Sequence, residues 1–321
     1  MPHDDRPENG KSYVDQAGHV LFEQYAKIAA TVEGRSSKEK HPLYGQGDKS
    51  INPGAVVQGD VNDCFFFASL AAVANSQPDL IKKAIKQNAD GSFDVNFPKA
   101  IDGKPVHVPR LSDQELLDYG RETSSGIWPG VMEKAFDIYL RDHPGERDKF
   151  TEKKEEPGTL GKMWNWLTLD SQSNDVQQLG NFGRTPPVLS LLTGYEPGGR
   201  PLGPQQSSDE VAKDLTAAFG ADRKLPTVAD IRKDNQIALA AGLRPAHAYT
   251  VLGYNNGVVT IRDPTGQTGL NEDGKAIKSE NGVFTMSLKD FTRSFDELVV
   301  DQMRSPYTDA GIFRGNIDFK R

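Results

Sequence analysis

The chain of 321 residues contains a single cysteine, Cys64, so it cannot form an internal disulfide bond. This scarcity fits a reducing compartment without proving one. No apolar run approaches the roughly 20 residues that a membrane-spanning helix requires, so we expect no membrane insertion. The first residues, MPHDDRPENGKSYVD, include acids and have no apolar stretch, unlike a secretory signal. We therefore expect a cytoplasmic protein, or one exported without an ordinary signal peptide.

The chain also lacks a surplus of positive charge. It has 38 Lys and Arg against 45 Asp and Glu, a net charge of -7. Because binding to a phosphate backbone needs a surplus of Lys and Arg, we expect no nucleic-acid partner. The content of 36% hydrophobic and 26% charged residues is typical of a globular protein.

Three regions differ in their residue patterns. Residues 1–50 form a polar leader in which Ser12–Val32 has apolar residues every three or four positions, as in an amphipathic helix. That helix either packs on the main domain or serves as a docking arm for a partner or for the protein itself. Residues 51–190 are mostly helical in pattern, and residues 191–321 are rich in strands. The predicted fold class is α+β, with a helical lobe and a β-rich lobe.

Several shorter patterns predict individual elements. CFFFASLAAVAN, PDLIKKAIKQN, WPGVMEKAFDIYL and SSDEVAKDLTAAFG predict helices. SFDVNFP and PVHVPR alternate as strands do, whereas YEPGGRPLGPQQ predicts an irregular loop because it is rich in Gly and Pro. NGVFTMSLKDFTRSF predicts a strand followed by a short helix.

Cys64 lies at the predicted start of the helix CFFFASLAAVAN, with Asn62 or Asp63 as its capping residue. The helix dipole and the free N–H groups of a first turn favour a thiolate, which is the nucleophilic form of cysteine. A lone cysteine beside three phenylalanines also fits a place in the core. On its own, this pattern favours the structural role over the catalytic one.

A catalytic cysteine needs a base, and His247 is the best candidate among the six histidines. It begins the run HAYTVLGYNNGVVTIRDP, in which the Asn-Asn-Gly segment predicts a hairpin turn and Asp263 follows the second strand. The antiparallel strands bring the two ends side by side, so Asp263 can hold one ring nitrogen while the other faces the thiol. Gln58 precedes Cys64 across a Gly-Asp turn, and its amide is a candidate donor to an oxyanion, although the spacing alone is a weak signal.

Five segments together resemble the calpain-type (C2) cysteine peptidases of the papain-like group, in family order from about residue 51 to 303. They are VVQGDVNDCFFFASLAAVA, VHVPRL with GIWPGVMEKAFDIYL, LLTG, GLRPAHAYTVLG with IRDPTG, and NGVFTMSLKDFTRSFDEL. The resemblance implies a papain-like fold whose two lobes enclose a cleft, hydrolysis of protein or peptide substrates, and no cofactor. Since the chain has no EF-hand loop, the resemblance implies a compact catalytic core of bacterial type.

The resemblance also implies roles for individual residues. Cys64 would be the nucleophile, and His247 the general base and acid. Asp263 stands in the place of an Asn in the family, and a carboxylate can also orient a histidine. Gln58 would complete the oxyanion hole.

Two further residues align with substrate-binding positions of the family. Gly183 matches a glycine whose backbone pairs with an extended peptide, and Ala246 replaces a Gly before the histidine, which narrows the cleft slightly. Two departures lie close to the site. Phe65 replaces a Trp, and Thr265 replaces a Trp that shields the catalytic pair, so we expect that pair to be wetter and looser.

The family's calcium ligands are poorly matched. Gly126, Asn281 and Val283 stand where the family has acidic residues. Because calcium needs several charged or carbonyl oxygens, we expect a core that does not require calcium and binds no metal.

Two other functions fit the same residues. The first alternative is a non-catalytic module that keeps a peptide groove. The second is an effector that performs another acyl transfer, such as deamidation. A Cys-His-Asp arrangement does not distinguish water from an amine as the acceptor.

Overall fold

The computed structural model describes residues 41–45, 49–59, 63–112, 115–118, 124–150, 183–220, 224–266 and 279–302. Contacts divide the chain into a unit of Met1–Pro42 and a unit of Leu43–Arg321, and nearly all described residues belong to the second. The predicted helix Ser12–Val32 lies outside the described residues.

The helices and strands of the second unit follow one another in a mixed order. The helices are α1 (Cys64–Ser76), α2 (Pro78–Ala84), α3 (Glu115–Asp118), α4 (Trp128–Asp142), α5 (Arg147–Phe150), α6 (Thr185–Thr193), α7 (Ser208–Ala218), α8 (Gln236–Ala240) and α9 (Leu288–Ser294). The strands are β1 (Ile85–Gln87), β2 (Phe93–Val95), β3 (Val106–Val108), β4 (Gly198–Pro201), β5 (Thr227–Ile231), β6 (His247–Asn255), β7 (Val258–Arg262), β8 (Val283–Ser287) and β9 (Glu297–Val300). Short 3₁₀ helices lie at Pro53–Ala55 and Pro144–Glu146.

The strands form two antiparallel sheets. One has three strands in the order β1-β2-β3, and the other has six in the order β4-β9-β5-β6-β7-β8. Helices pack on each of the two sheets. The protein is therefore of mixed α and β class, as the sequence predicts. Two hydrophobic clusters lie within the described residues, one around α1 and α4 and the other around β5, β6 and β7.

Helix α1 is buried on nearly every side. From Phe65 to Ala74 each residue is buried, so the segment is apolar all round rather than amphipathic. Phenylalanine side chains of α1 pack against α4, where the ring of Phe66 stacks on that of Phe136 with centroids 4.7 Å apart. A buried Phe stabilises a fold by about 3–5 kcal/mol relative to Ala, so these contacts hold α1 firmly in place.

The six-stranded sheet contains the predicted hairpin. Strands β6 and β7 pair from Asn255↔Val258 back to Thr250↔Arg262. Asn256 and Gly257, between them, have φ angles of 48° and 79°, the left-handed region that the tightest hairpin turns require. The turn therefore sets the register that returns the chain to the start of β6.

Helix α1 lies along strand β6 and runs in the same direction. The Thr250 hydroxyl donates to the Ala68 carbonyl (2.9 Å), and the Asn75 amide donates to the Leu252 carbonyl (2.9 Å). The second contact lies further towards the C-terminal end of both elements than the first. The first residues of α1 and β6 therefore lie at the same end of the contact.

The sequence patterns were wrong in several places. The helix predicted through PDLIKKAIKQN ends at Ala84, and Ile85–Gln87 form strand β1 instead. The predicted loop YEPGGRPLGPQQ includes β4, whose Pro201 lies at the edge of the sheet, where a missing N–H is tolerated. The short helix α5, after Asp142, was not identified by the sequence patterns.

No helix among the described segments is both long and apolar enough to cross a membrane.

Candidate active site

Cys64 and His247 line one cavity of about 200 Å³, together with Gly183 and Ala246. Cys64 is the first residue of α1 and His247 is the first residue of β6. The shared direction of these two elements brings both side chains to the cavity. Four of the predicted site residues are therefore assembled in one place.

His247 is held by the predicted partner. Its Nε2 lies 2.9 Å from Oδ1 of Asp263. The side chain of His247 is 8% exposed and that of Asp263 is 0% exposed, so water contributes little to this pair. With Nε2 occupied, Nδ1 is the ring nitrogen available to the thiol.

Burial and neighbouring groups shift the pKa of His247 in opposite directions. Burial alone would lower its pKa, but attraction to Asp263 and Cys64 and hydrogen bonds to both raise the pKa to about 10. His247 is therefore charged at neutral pH.

Asp263 is fixed more firmly than the sequence led us to expect. Its Oδ1 accepts from the backbone N–H of Thr265 (2.9 Å) and from the Thr265 hydroxyl (2.7 Å). The residue that replaces the family's Trp thus clamps the carboxylate. The expected wetter and looser pair is a wrong prediction, because the pair is almost fully buried and Thr265 donates to Asp263 through both its backbone N–H and its hydroxyl.

Two residues that the sequence patterns did not single out complete this part of the site. Nε of Arg244 lies 3.8 Å from Oδ2 of Asp263, and Tyr249 meets His247 edge-on with ring centroids 4.8 Å apart. Burial would raise the pKa of Asp263, but His247, Arg244 and Thr265 together lower it. Tyr249 follows His247 by two residues on one strand, so the alternation of side chains could have identified it.

Gln58 lies against the loop that contains Asp263. It is buried, and its backbone N–H donates to the Pro264 carbonyl (2.9 Å). This contact holds the segment before Cys64 close to the His-Asp pair. The role of its side-chain amide at an oxyanion stays a prediction.

Gly183 lies flat on the ring of Phe65. A Cβ added to Gly183 would come within 2.2 Å of Cδ1 of Phe65, a distance that no real contact permits. The aromatic residue after Cys64 therefore excludes any side chain at position 183. Only glycine therefore fits at position 183, beside the cavity.

Ala246 adopts a backbone conformation that suits glycine. Its φ is 56°, in the left-handed region, where a Cβ costs about 1–2 kcal/mol. The sequence predicted only that Ala246 narrows the cleft. The structure adds backbone strain next to His247.

No protein-family model matches the chain. The resemblance to calpain-type peptidases therefore rests on the five motifs themselves.

Gly183→Ala tests the contact with Phe65. We expect a loss of about 1–3 kcal/mol in the free energy of unfolding, because the new methyl overlaps the ring. In the double variant Phe65→Leu/Gly183→Ala, the second change should cost much less than it does alone. Denaturant unfolding of the four proteins measures the coupling; additive costs would show that the two residues do not touch.

Ala246→Gly should stabilise the protein by about 0.5–1 kcal/mol, since glycine adopts a positive φ without strain. The matched control is Ala248→Gly, at a buried position of β6, which should destabilise the protein by about 1 kcal/mol. Thermal unfolding of both variants makes the comparison. Destabilisation by both changes would contradict the assigned backbone conformation.

Proposed function

We propose that this protein is a papain-like cysteine peptidase of calpain type that hydrolyses peptide bonds through Cys64, His247 and Asp263. One observation supports the proposal above all. Cys64 begins a buried helix and lines one cavity with His247, whose Nε2 is held 2.9 Å from Asp263. A nucleophile, a base and a group that orients the base are the parts that covalent acyl transfer needs.

In the proposed fold, the two lobes are the regions around the two hydrophobic clusters. The cluster around α1 and α4 would be the helical lobe, and the cluster around β5, β6 and β7 the β-rich lobe. The cavity with Cys64 from α1 and His247 from β6 would be the cleft between them.

The chemistry begins from a thiolate and an imidazolium. Sγ of Cys64 attacks the peptide carbonyl carbon, and the carbonyl electrons move onto its oxygen. The backbone N–H of Cys64, at the free first turn of α1, and the amide of Gln58 would stabilise that oxyanion.

Breakdown of the adduct needs a proton for the departing amine. His247 donates its Nδ1 proton as the C–N bond breaks, which leaves an acyl-thioester and a neutral imidazole. The imidazole then removes a proton from water, whose oxygen attacks the thioester carbonyl. Cleavage of the C–S bond restores the thiolate and the imidazolium.

Calcium has no part in this proposal. Among the described residues, no group of three or more His, Cys, Asp or Glu side chains could hold a metal ion. Gly126 and Val283, in place of acidic residues, offer no side-chain ligand.

Cys64→Ala tests the nucleophile directly. We expect the wild type to cleave casein both with and without EDTA, and Cys64→Ala to show no cleavage in either condition. Product sizes from intact-mass analysis separate hydrolysis from deamidation, which changes mass without cutting the chain. Equal cleavage by both proteins would exclude Cys64, and loss of wild-type cleavage in EDTA would contradict calcium independence.

Asp263→Asn tests the electrostatic role of the carboxylate. Removal of its charge should lower the pKa of His247 by about 1–3 units from its value of about 10, while the amide still orients the ring. The alkaline limb of the pH profile for peptide cleavage should move down by the same amount. Because the pKa of His247 is raised on folding, its contribution to stability is full below about pH 6.5 and is lost as pH rises towards 10.

In Asp263→Asn, the contribution of His247 to stability should therefore be completely lost at a lower pH than in the wild type. Asp142→Asn, an exposed change on α4, is the control. It should alter neither the pH profile of cleavage nor the pH dependence of stability. An unchanged alkaline limb in Asp263→Asn would remove Asp263 from the site.

A further inference from the structure

A second and larger cavity lies beside the one that contains Cys64 and His247. Its volume is about 940 Å³, against about 200 Å³ for the first. Proteins enclose drug-sized ligands in pockets of about 300–1,000 Å³, so this cavity has room for several side chains of a ligand. We call it the distal groove, and its apolar lining consists of Tyr139, Phe150, Pro187, Leu191, Tyr195 and Pro197.

The inner side of the distal groove belongs to the hydrophobic core. Tyr139 of α4, Phe150 of α5 and Leu191 of α6 are buried and are members of the cluster around α1 and α4. The rings of Tyr139 and Phe150 meet edge to face, with centroids 6.5 Å apart. Because close packing fixes these side chains, the groove has its shape before any ligand binds.

The outer side of the groove exposes apolar surface. Ile101 and Tyr195 are the two most exposed large apolar side chains in the part of the chain that the structure describes, at 61% and 52%. Tyr195 lines the groove, and the backbone N–H of Ile101 donates to the Tyr139 hydroxyl (3.4 Å) at its edge. Exposed apolar surface around a groove is typical of a site that binds a protein or a ligand.

The charges of the groove largely cancel. Nζ of Lys99 lies 3.0 Å from Oε1 of Glu196, and Nζ of Lys149 lies 2.8 Å from Oε1 of Glu146. Among the described residues that line the groove, Arg184 is the remaining charged one. A lining of paired charges and apolar rings favours an apolar ligand over a strongly charged one.

One stretch of chain leads from the catalytic cavity to the distal groove. Gly183 lines the cavity, Arg184 and Pro186 line both, and Pro187 lines the groove. An extended polypeptide whose carbonyl group lies at Cys64 therefore reaches the groove by following this stretch.

We propose that the distal groove binds a second part of an unfolded polypeptide substrate, through an aromatic or large apolar side chain that packs on Tyr195. The proposal rests on the function proposed above and names its substrate class, which is chains long enough to span both cavities. The substrate is unfolded because large apolar side chains are mostly buried in folded proteins. Tyr195 is then a specificity-determining residue away from the bond that is cleaved.

The first experiment measures binding without cleavage. In the Cys64→Ala background, fluorescein-labelled casein is titrated with protein and followed by fluorescence anisotropy. Tyr195→Ser should raise the Kd about tenfold, since aromatic side chains dominate the energy of such contacts. Tyr195→Phe, which keeps the ring, should stay within about twofold. Val258→Ser is the matched control, because Val258 is 43% exposed on β7 and lines neither cavity; it should also stay within about twofold.

Three results would overturn the proposal. Casein that binds equally well to Tyr195→Ser, or that does not bind at all, would mean that the groove holds no substrate. Tighter binding by Tyr195→Ser would mean that a segment of this chain competes for the groove. A change from dimer to monomer in Tyr195→Ser, seen by sedimentation, would mean that a second copy of the chain covers it.

The second experiment separates the groove from the catalytic residues. The kcat/KM of the wild type and of Tyr195→Ser is measured with casein and with a two-residue peptide amide that has a fluorogenic leaving group. Tyr195→Ser should lower kcat/KM for casein about tenfold and leave that for the short amide within about twofold. Equal losses with both substrates would mean that the change disturbs Cys64 or His247, and would overturn the proposal.

The two experiments keep this proposal distinct from the peptidase assignment. If the wild type cleaves neither substrate, the proposed function fails. The anisotropy comparison still decides whether the distal groove binds polypeptide through Tyr195, because it uses a protein without the thiol.

Discussion

The contact of α1 with β6, with both elements running in one direction, is the constraint on which the site depends. Thr250 and Asn75 make the two hydrogen bonds that fix this direction. If α1 ran the other way, its 13 residues would place Cys64 about 20 Å from its present end of the contact. No local feature of the cysteine segment could then bring the thiol to His247.

The same packing decides how charge is distributed around the thiol. His247 and Asp263 are almost fully buried, where an isolated charge would be costly, and they offset each other. Thr265 donates to Oδ1 of Asp263, the oxygen that also faces His247, and the Arg244 guanidinium lies 3.8 Å from Oδ2, so both favour the ionised carboxylate.

Much of this arrangement follows from local sequence patterns. The hairpin turn is determined by Asn256 and Gly257, whose positive φ angles few other residues adopt, so the approach of Asp263 to His247 could be predicted. The helix start at Cys64 was equally clear from the run of Phe, Ala and Leu. Strand β4 could not be predicted, because it depends on pairing with β9, which is distant in the chain. Arg244 gave no periodic signal, since it lies in a segment without regular structure before β6.

The departures from the calpain-type pattern are understandable as coupled changes. A buried Asn brings its own N–H donors, whereas Asp263 brings only acceptors and an additional charge, and so needs donors from its neighbours. Thr265 supplies its backbone N–H and its hydroxyl, and of these two donors only the hydroxyl depends on which residue stands at this position. Phe65 keeps a flat ring against Gly183. Exchange of one aromatic residue for another therefore still leaves no room for a side chain at position 183. Ala246, the residue before β6, keeps the strain that is intrinsic to a Cβ at positive φ.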